Sequence, residues 1–113
     1  MSPITTHILD TARGRPAAGV AVVLDRKSAE GSFAPVGQGL TDGDGRLRTL
    51  LEPGSLIPGV YRLTFDTGGY FAAIGTAGFY PEASVVFTVA SAEEHYHVPL
   101  LLNPFGYSTY RGS

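Results

Sequence analysis

The chain contains no cysteine and no tryptophan, and its only methionine is the first residue. Without cysteine there is no disulfide and no thiolate metal site, and the redox compartment stays open. Charged residues make up only 16% of the chain and leave a net charge of −2. The chain therefore lacks the excess of basic residues that is typical of proteins that bind nucleic acid or anionic membranes.

Long hydrophobic runs are also missing, so no segment reads as a membrane-spanning helix. The first residues lack the basic segment and apolar stretch of a signal peptide, and the last three differ from a Ser-Lys-Leu peroxisomal ending. We therefore expect a cytoplasmic protein that binds neither nucleic acid nor membrane. Its 113 residues predict a single domain, residues 1–113, that buries roughly two-thirds of its unfolded surface.

What is present is an alternation of apolar and polar residues, typical of β-strands, over almost the whole chain. The 15 glycines and 8 prolines interrupt it at turns. Strands are predicted at 4–10, 20–25, 33–41, 46–51, 61–66, 84–90, 95–102 and 105–111. Strands with turns at this spacing predict an all-β fold, a β-sandwich, with one short helix over 70–74.

Four side chains on predicted strands carry groups suited to acid–base chemistry. His95 and His97 are two residues apart and point to the same face, whereas only folding could bring His7 near them. A neutral imidazole serves as a general base near neutral pH. Arg46, directly after a turn, could orient planar oxygens and nitrogens and stabilise an oxyanion.

Each of these side chains also has an ordinary structural interpretation. A histidine in a strand is more often a satisfied polar residue, and Arg46 could be a solvated cation at a strand end. His95 and His97 have the His-x-His spacing of half a zinc site, although two ligands alone are a weak signal. The residues alone therefore predict a β-sandwich with imidazole, guanidinium and hydroxyl groups at strand ends.

The chain ends on an aromatic, a cation and a hydroxyl, which is unusual for a terminus. The segment from Tyr110 to Ser113 could deliver Arg111 and Ser113, with its free carboxylate, to a site. On residue types alone, an edge strand whose arginine keeps the edge soluble is the favoured interpretation.

Four motifs in order along the whole chain resemble the transthyretin-like family. They are THILD at 6–10 followed by GRPA at 14–17, TDGDGR at 41–46, EHYHVPLLL at 94–102, and GYSTYRGS at 106–113. Within that family the ending YRGS is the signature of 5-hydroxyisourate hydrolase, and the hormone carrier transthyretin lacks it. The resemblance implies two four-stranded sheets with one short helix. It also implies a homotetramer, a dimer of dimers around a central channel, with sites at subunit interfaces.

The implied activity is hydrolysis of 5-hydroxyisourate to 2-oxo-4-hydroxy-4-carboxy-5-ureidoimidazoline in urate degradation, with no cofactor and no metal. The matching positions imply four catalytic residues, namely His7, Arg46, His97 and Ser113. The resemblance assigns His97, and not His95, to the site. It implies that the rest of the terminal tetrapeptide binds substrate, namely Tyr110, Arg111 and Gly112.

In the mechanism that we expect, one of His7 and His97 deprotonates water for attack on a ring carbonyl. The other holds the water or returns a proton to the departing nitrogen, and Arg46 stabilises the oxyanion. Two alternatives remain open. One is a non-catalytic carrier of small aromatic ligands in the central channel, and the other is a zinc-dependent hydrolase whose ligands are His7, His95 and His97.

Overall fold

The computed structural model covers residues 1–113 and contains nine β-strands and one short α-helix. In chain order the elements are β1 (Ile4–Asp10), β2 (Arg15–Pro16), β3 (Ala21–Lys27), β4 (Phe33–Leu40), β5 (Arg46–Leu47), β6 (Gly59–Phe65), α1 (Thr67–Ala73), β7 (Ala83–Val89), β8 (Tyr96–Asn103) and β9 (Gly106–Thr109). The helix, at seven residues, is too short to traverse a lipid bilayer.

The strands form two sheets, which confirms the predicted β-sandwich with one short helix. The second sheet has the expected four strands, in the order β4-β3-β6-β7, all antiparallel. The first has the order β2-β1-β8-β9, with β1 and β8 parallel, and a fifth strand, β5, also pairs with β1. It has five strands because two short strands, β2 and β5, share one edge of β1: β2 opposite Leu9 and Asp10, β5 opposite Thr6 and His7.

Alternation along each strand decides which residues enter the core between the sheets. Ile4 and Ile8 of β1 and Leu100 of β8 are completely buried there, in a cluster of 21 buried hydrophobic residues. Thr5 and His7, which alternate with the inward-facing residues of β1, turn to the opposite, outward face of the first sheet. That face, which carries His7 and His97, is where the polar groups gather.

The predicted strand over 46–51 ends at Leu47, because the chain beyond it bonds to the N-terminal segment. Ser2 donates its backbone N–H to the carbonyl of Arg48 at 3.0 Å, and its hydroxyl accepts from the N–H of Leu51 at 3.0 Å. These bonds satisfy the backbone groups that a longer strand would have used.

The helix begins three residues before the predicted start because Asp66 caps it. The Asp66 carboxylate accepts a hydrogen bond from the N–H of Gly69 at 2.9 Å, which satisfies one of the free donors of the first turn. A Cβ at position 69 would stand 2.4 Å from that carboxylate, so a glycine is needed for so close a cap.

The predicted terminal strand over 105–111 also ends early, at Thr109, and the reason is Pro99 on the neighbouring strand β8. Tyr110 would face Pro99, which has no N–H to donate to the ladder. The same register resumes two residues later, where Gly112 donates its N–H to the carbonyl of His97 at 2.8 Å. The tail is therefore not a continuous edge strand.

Candidate functional site

A polar cleft of about 170 Å³ lies on the outward face of the first sheet. Thr5 is paired with His97 across β1 and β8, and His7 with Arg46 across β1 and β5, so strand register brings distant parts of the chain together. The residues that line the cleft are Met1, Thr5, Thr6, Arg46, Arg48, His95, His97 and Ser113. Methionine is the one hydrophobic residue among these eight.

Arg46 is held at the rim by the turn that precedes it. The Asp42 carboxylate accepts hydrogen bonds from the backbone N–H groups of Asp44 and Arg46, at 2.9 and 3.0 Å. The bond from Arg46 is the main cause that lowers the pKa of Asp42. Gly45 has a φ of 74° and packs so tightly that a Cβ would lie 2.5 Å from the carbonyl oxygen of Ile8. The turn thus fixes the backbone of Arg46, whose side chain lines the cleft.

His97 is the histidine whose protonation the site changes most clearly. Burial lowers its pKa below the usual value of 6.5, and the positive charges of Arg46, His95 and His7 lower it further. Its Nδ1 lies 2.8 Å from the Thr5 hydroxyl oxygen. Its Nε2 has no partner within the protein and is not sealed from solvent. His97 therefore presents a neutral imidazole nitrogen to the cleft near neutral pH.

His95 lies just before β8, yet it reaches the same cleft. Its Nε2 is 3.1 Å from the Thr5 hydroxyl oxygen, and its ring faces that of His97 with centroids 6.5 Å apart. The resemblance left His95 out of the site, and sequence reasoning missed Thr5 and Arg48. Thr5 could have been noticed because alternation places it on the same face as His7.

His7 shares this face but does not line the cleft. It stands opposite Pro99 rather than His97, two residues further along β1, which is roughly 7 Å. It is half-buried, and it is close enough to contribute to the lowered pKa of His97.

The terminal tetrapeptide divides between two places. Ser113 lines the cleft, and Gly112 packs so closely on His97 that a Cβ would come within 2.6 Å of that ring. Tyr110 and Arg111 instead line a separate cleft of about 240 Å³ beside β7. The Arg111 guanidinium pairs with Glu94 at 3.2 Å and lies 4.5 Å above the Tyr96 ring. This ion pair anchors the tail to the segment just before β8.

The three histidines are not arranged as a metal site. No group of three His, Cys, Asp or Glu side chains in the structure is placed to hold one ion. His95 and His97 converge on a threonine hydroxyl, and His7 lies apart from both. The three histidine ligands that a zinc-dependent hydrolase would need, His7, His95 and His97, are therefore not brought together within one chain.

The chain is thus a small β-sandwich protein. Its polar site, made of imidazole and guanidinium groups, lies on the outward face of one sheet. The model of the HIUase/Transthyretin family matches residues 4–112. The chain belongs to this family, which confirms the resemblance seen in its motifs.

Individual relatives agree with this family membership. The 5-hydroxyisourate hydrolase of Deinococcus radiodurans is 49% identical over 114 residues, covering 97% of this chain and 95% of that protein. The 5-hydroxyisourate hydrolase of Mus musculus is 46% identical over 113 residues, covering 99% of this chain and 96% of that protein. The structure of sea bream transthyretin in complex with thyroxine matches this chain with a TM-score of 0.92 at 36% sequence identity. The match covers 97% of this chain and 94% of that chain.

Proposed function

We propose that this chain hydrolyses 5-hydroxyisourate in urate degradation. Its relatives with that name are 46 to 49% identical over nearly the whole chain. The observation on the structure that carries the proposal is the cleft in which His97, Arg46 and Ser113 meet. A neutral imidazole beside a guanidinium suits the addition of water to a carbonyl of a small planar ring.

His97 is the general base in this proposal. Its Nε2 takes a proton from a water molecule as the water oxygen bonds to the ring carbonyl next to the scissile nitrogen. Arg46 stabilises the resulting oxyanion, because its fixed donors need little reorganisation. The carbon–nitrogen bond then breaks, and the departing nitrogen receives a proton. His7, further along the face, holds the water or supplies that proton.

The tail completes the site. Ser113, by its hydroxyl or its carboxylate, orients substrate or water, and Gly112 supports the His97 ring at close contact. In one chain Tyr110 and Arg111 lie away from this cleft. Their assignment to substrate binding therefore requires that the tail meet a neighbouring subunit.

A homotetramer, a dimer of dimers with sites at the subunit interfaces, is the assembly that we propose. Two observations support it: the edge strands β7 and β9 are each unpaired on one side, and exposed apolar side chains lie between them. Val86 and Tyr110 are 58% and 57% exposed there and line the 240 Å³ cleft. The cytoplasmic location remains a prediction.

A non-catalytic carrier is the second candidate, favoured by the similarity to the thyroxine complex of sea bream transthyretin. An apolar ligand would bury its rings against apolar side chains. The cleft offers guanidinium, imidazole and hydroxyl groups instead. The chemistry of the site therefore favours hydrolysis.

A coupled assay tests the hydrolase proposal. Uricase acting on urate produces 5-hydroxyisourate in the cuvette, and the decay of its ultraviolet absorbance is followed with and without this protein. We expect faster decay, unchanged by a chelator. Loss of the effect on chelation would revive the zinc alternative, and no effect from a folded protein would contradict the proposal and favour the carrier.

The same assay tests the role of His7. We expect His7→Ala to lower turnover on the order of a hundredfold or more, because it removes an acid–base group. Size-exclusion chromatography checks that the assembly is unchanged. Turnover equal to that of the unchanged protein would remove His7 from the mechanism.

A further inference from the structure

Thr5 occupies a position between two imidazole rings that the proposed mechanism leaves unused. Its hydroxyl oxygen is 2.8 Å from Nδ1 of His97 and 3.1 Å from Nε2 of His95. The residue is only 3% exposed and lies within β1, directly opposite His97 in the strand register. The hydroxyl is thus held in place by the sheet, and the two rings are its hydrogen-bond partners.

One hydroxyl carries one proton, and this limits how the three groups combine. If His97 donates from Nδ1, then Thr5 accepts that bond and donates its own proton to Nε2 of His95. If His95 donates instead, Thr5 donates to Nδ1 of His97, whose Nε2 then carries a hydrogen. Since the two imidazole nitrogens are the hydrogen-bond partners of the Thr5 hydroxyl, its proton goes to one ring and the other ring donates, which couples the two tautomers.

The charges around the cleft favour the first arrangement. Arg46 and Arg48 line the cleft and offer hydrogen-bond donors and positive charge. A lone pair on Nε2 of His97 is stabilised by this environment, whereas an N–H facing the same guanidinium groups is not. Nδ1 of His97 then carries the hydrogen and donates it to Thr5.

Resting on the hydrolase function, we propose that Thr5 is a positioning residue that links His97 and His95 into one hydrogen-bonded relay. It holds His97 with its Nε2 lone pair toward the cleft and connects that base to the exposed imidazole of His95. Thr5 itself does not touch substrate.

The proton balance of the relay is simple. Nε2 of His97 takes a proton from water, and the hydroxide bonds to the carbonyl carbon. Nδ1 of His97 passes its hydrogen to Thr5 as Thr5 passes its own to Nε2 of His95. The positive charge now rests on His95, which is exposed and can release a proton from Nδ1 to solvent.

Thr5→Val tests the relay, because valine keeps the β-branched shape and replaces only the hydroxyl. We expect kcat to fall on the order of tenfold with KM little changed, since one part of the acid–base catalysis is lost. Thr5→Ser keeps a hydroxyl and is expected to retain most of kcat. Thermal unfolding of both variants separates this effect from loss of fold.

The pH profile provides a readout that a purely structural role would not move. The charged and titratable groups around His97 are Arg46, Arg48, His7, His95 and the two chain ends at Met1 and Ser113, and Thr5→Val leaves all of them in place. Without the hydroxyl, protonated His97 loses an acceptor at Nδ1, so its pKa falls and the acid limb of the profile moves to lower pH. An unmoved limb with unchanged kcat would overturn the proposal.

A double-mutant cycle tests whether His95 belongs to the same relay. If Thr5 and His95 act as one unit, Thr5→Val combined with His95→Ala lowers kcat no further than the worse single change. Losses that simply multiply would remove His95 from the relay.

Nitrogen-15 NMR of labelled histidine tests the relay independently of catalysis. We expect His97 to show a protonated Nδ1 and a bare Nε2 in the unchanged protein, and a mixture of tautomers in Thr5→Val. A protonated Nε2 in the unchanged protein would overturn the relay even if the enzyme is active. Conversely, an inactive protein with the expected tautomer would contradict only the proposed function.

Discussion

Pro99 and Gly112, a proline and a glycine that face the tail and the His97 ring, determine the path by which the tail reaches the cleft. Pro99 cannot donate a backbone hydrogen bond, so the ladder between β8 and β9 stops and the tail leaves the sheet. Gly112 then returns to the same register and packs on the ring of His97. Because Pro99 has no N–H and Gly112 has no Cβ, the tail can leave the sheet and bring Ser113 close to His97, the proposed base.

Gly112→Ala is therefore expected to damage activity more than stability. The new Cβ would lie 2.6 Å from the His97 ring and 3.2 Å from the Pro99 ring, so either the tail or the imidazole must shift. Such overpacking costs about 1–3 kcal/mol in a closed core, but the tail can swing away. We expect a loss of kcat/KM on the order of tenfold or more with little change in Tm; unchanged kcat/KM would show that the tail position is not needed.

The lowered pKa of His97 sets the direction of the pH dependence. A histidine whose pKa is lowered stays neutral, and so stays a base, at pH values where an ordinary histidine would be protonated. We expect the acid limb of kcat/KM to lie below pH 6.5. Replacing His97 with Asn should remove that limb together with most of the activity, and a limb well above this value would contradict His97 as the base.

Among the structural elements, the tail from Tyr110 to Ser113 is short and is held by few contacts. Its anchor is Arg111, which pairs with Glu94 and lies over the Tyr96 ring. Both partners of the ion pair are about half exposed, at 56% and 52% of their side chains, so the pair stabilises the whole fold little. The effect of the Arg111–Glu94 ion pair is local, because it holds the tail and so helps to position Ser113.

Arg111→Gln should therefore reduce activity without lowering Tm measurably. The chain offers a matched control, since Arg62 also pairs with a carboxylate, that of Asp25 at 3.0 Å, and lies 4.3 Å above the Phe33 ring. Arg62→Gln removes the same kind of contacts on the second sheet, away from the cleft. We expect it to leave kcat/KM unchanged and to lower Tm at least as much. Equal activity in the two variants would contradict the anchoring role.

At the scale of the whole molecule, the unpaired edge strands of the sandwich are the feature that favours an oligomer. Exposed strand edges with apolar side chains favour association with another chain. The edge strands β7 and β9 flank the 240 Å³ cleft into which Val86 and Tyr110 project. Pairing there would place the tail of one subunit beside its neighbour.

Val86→Asp should accordingly weaken the assembly. A charge in place of an apolar side chain would have to be buried at the interface, which is costly unless it is paired. Native mass spectrometry is expected to show a tetramer for the unchanged protein and smaller species for the variant. Leu40→Asp changes another exposed hydrophobic residue, 64% exposed on β4, which is the edge of the second sheet opposite β7 and does not line the 240 Å³ cleft, and should leave the tetramer intact. An unchanged protein that is monomeric at micromolar concentration would contradict the assembly.

The fold was largely predictable because alternation and turn chemistry are local properties. Strand β1 was predicted with its observed limits, since Ile4 and Ile8 alternate with polar residues and a turn follows Asp10. The strand predicted over 46–51 was too long, because its backbone groups bond to Ser2, a residue distant in sequence. No local pattern contains that information.

The site was predictable only in part, for a similar reason. The sequence by itself determined that the chain is a β-sandwich with imidazole and guanidinium groups on strands, because residue type and alternation are written along the chain. Only the tertiary structure decided that β1 and β8 pair in parallel with Thr5 opposite His97, and that His95 joins them. Register between strands about ninety residues apart depends on how two sheets pack, and no local spacing specifies it.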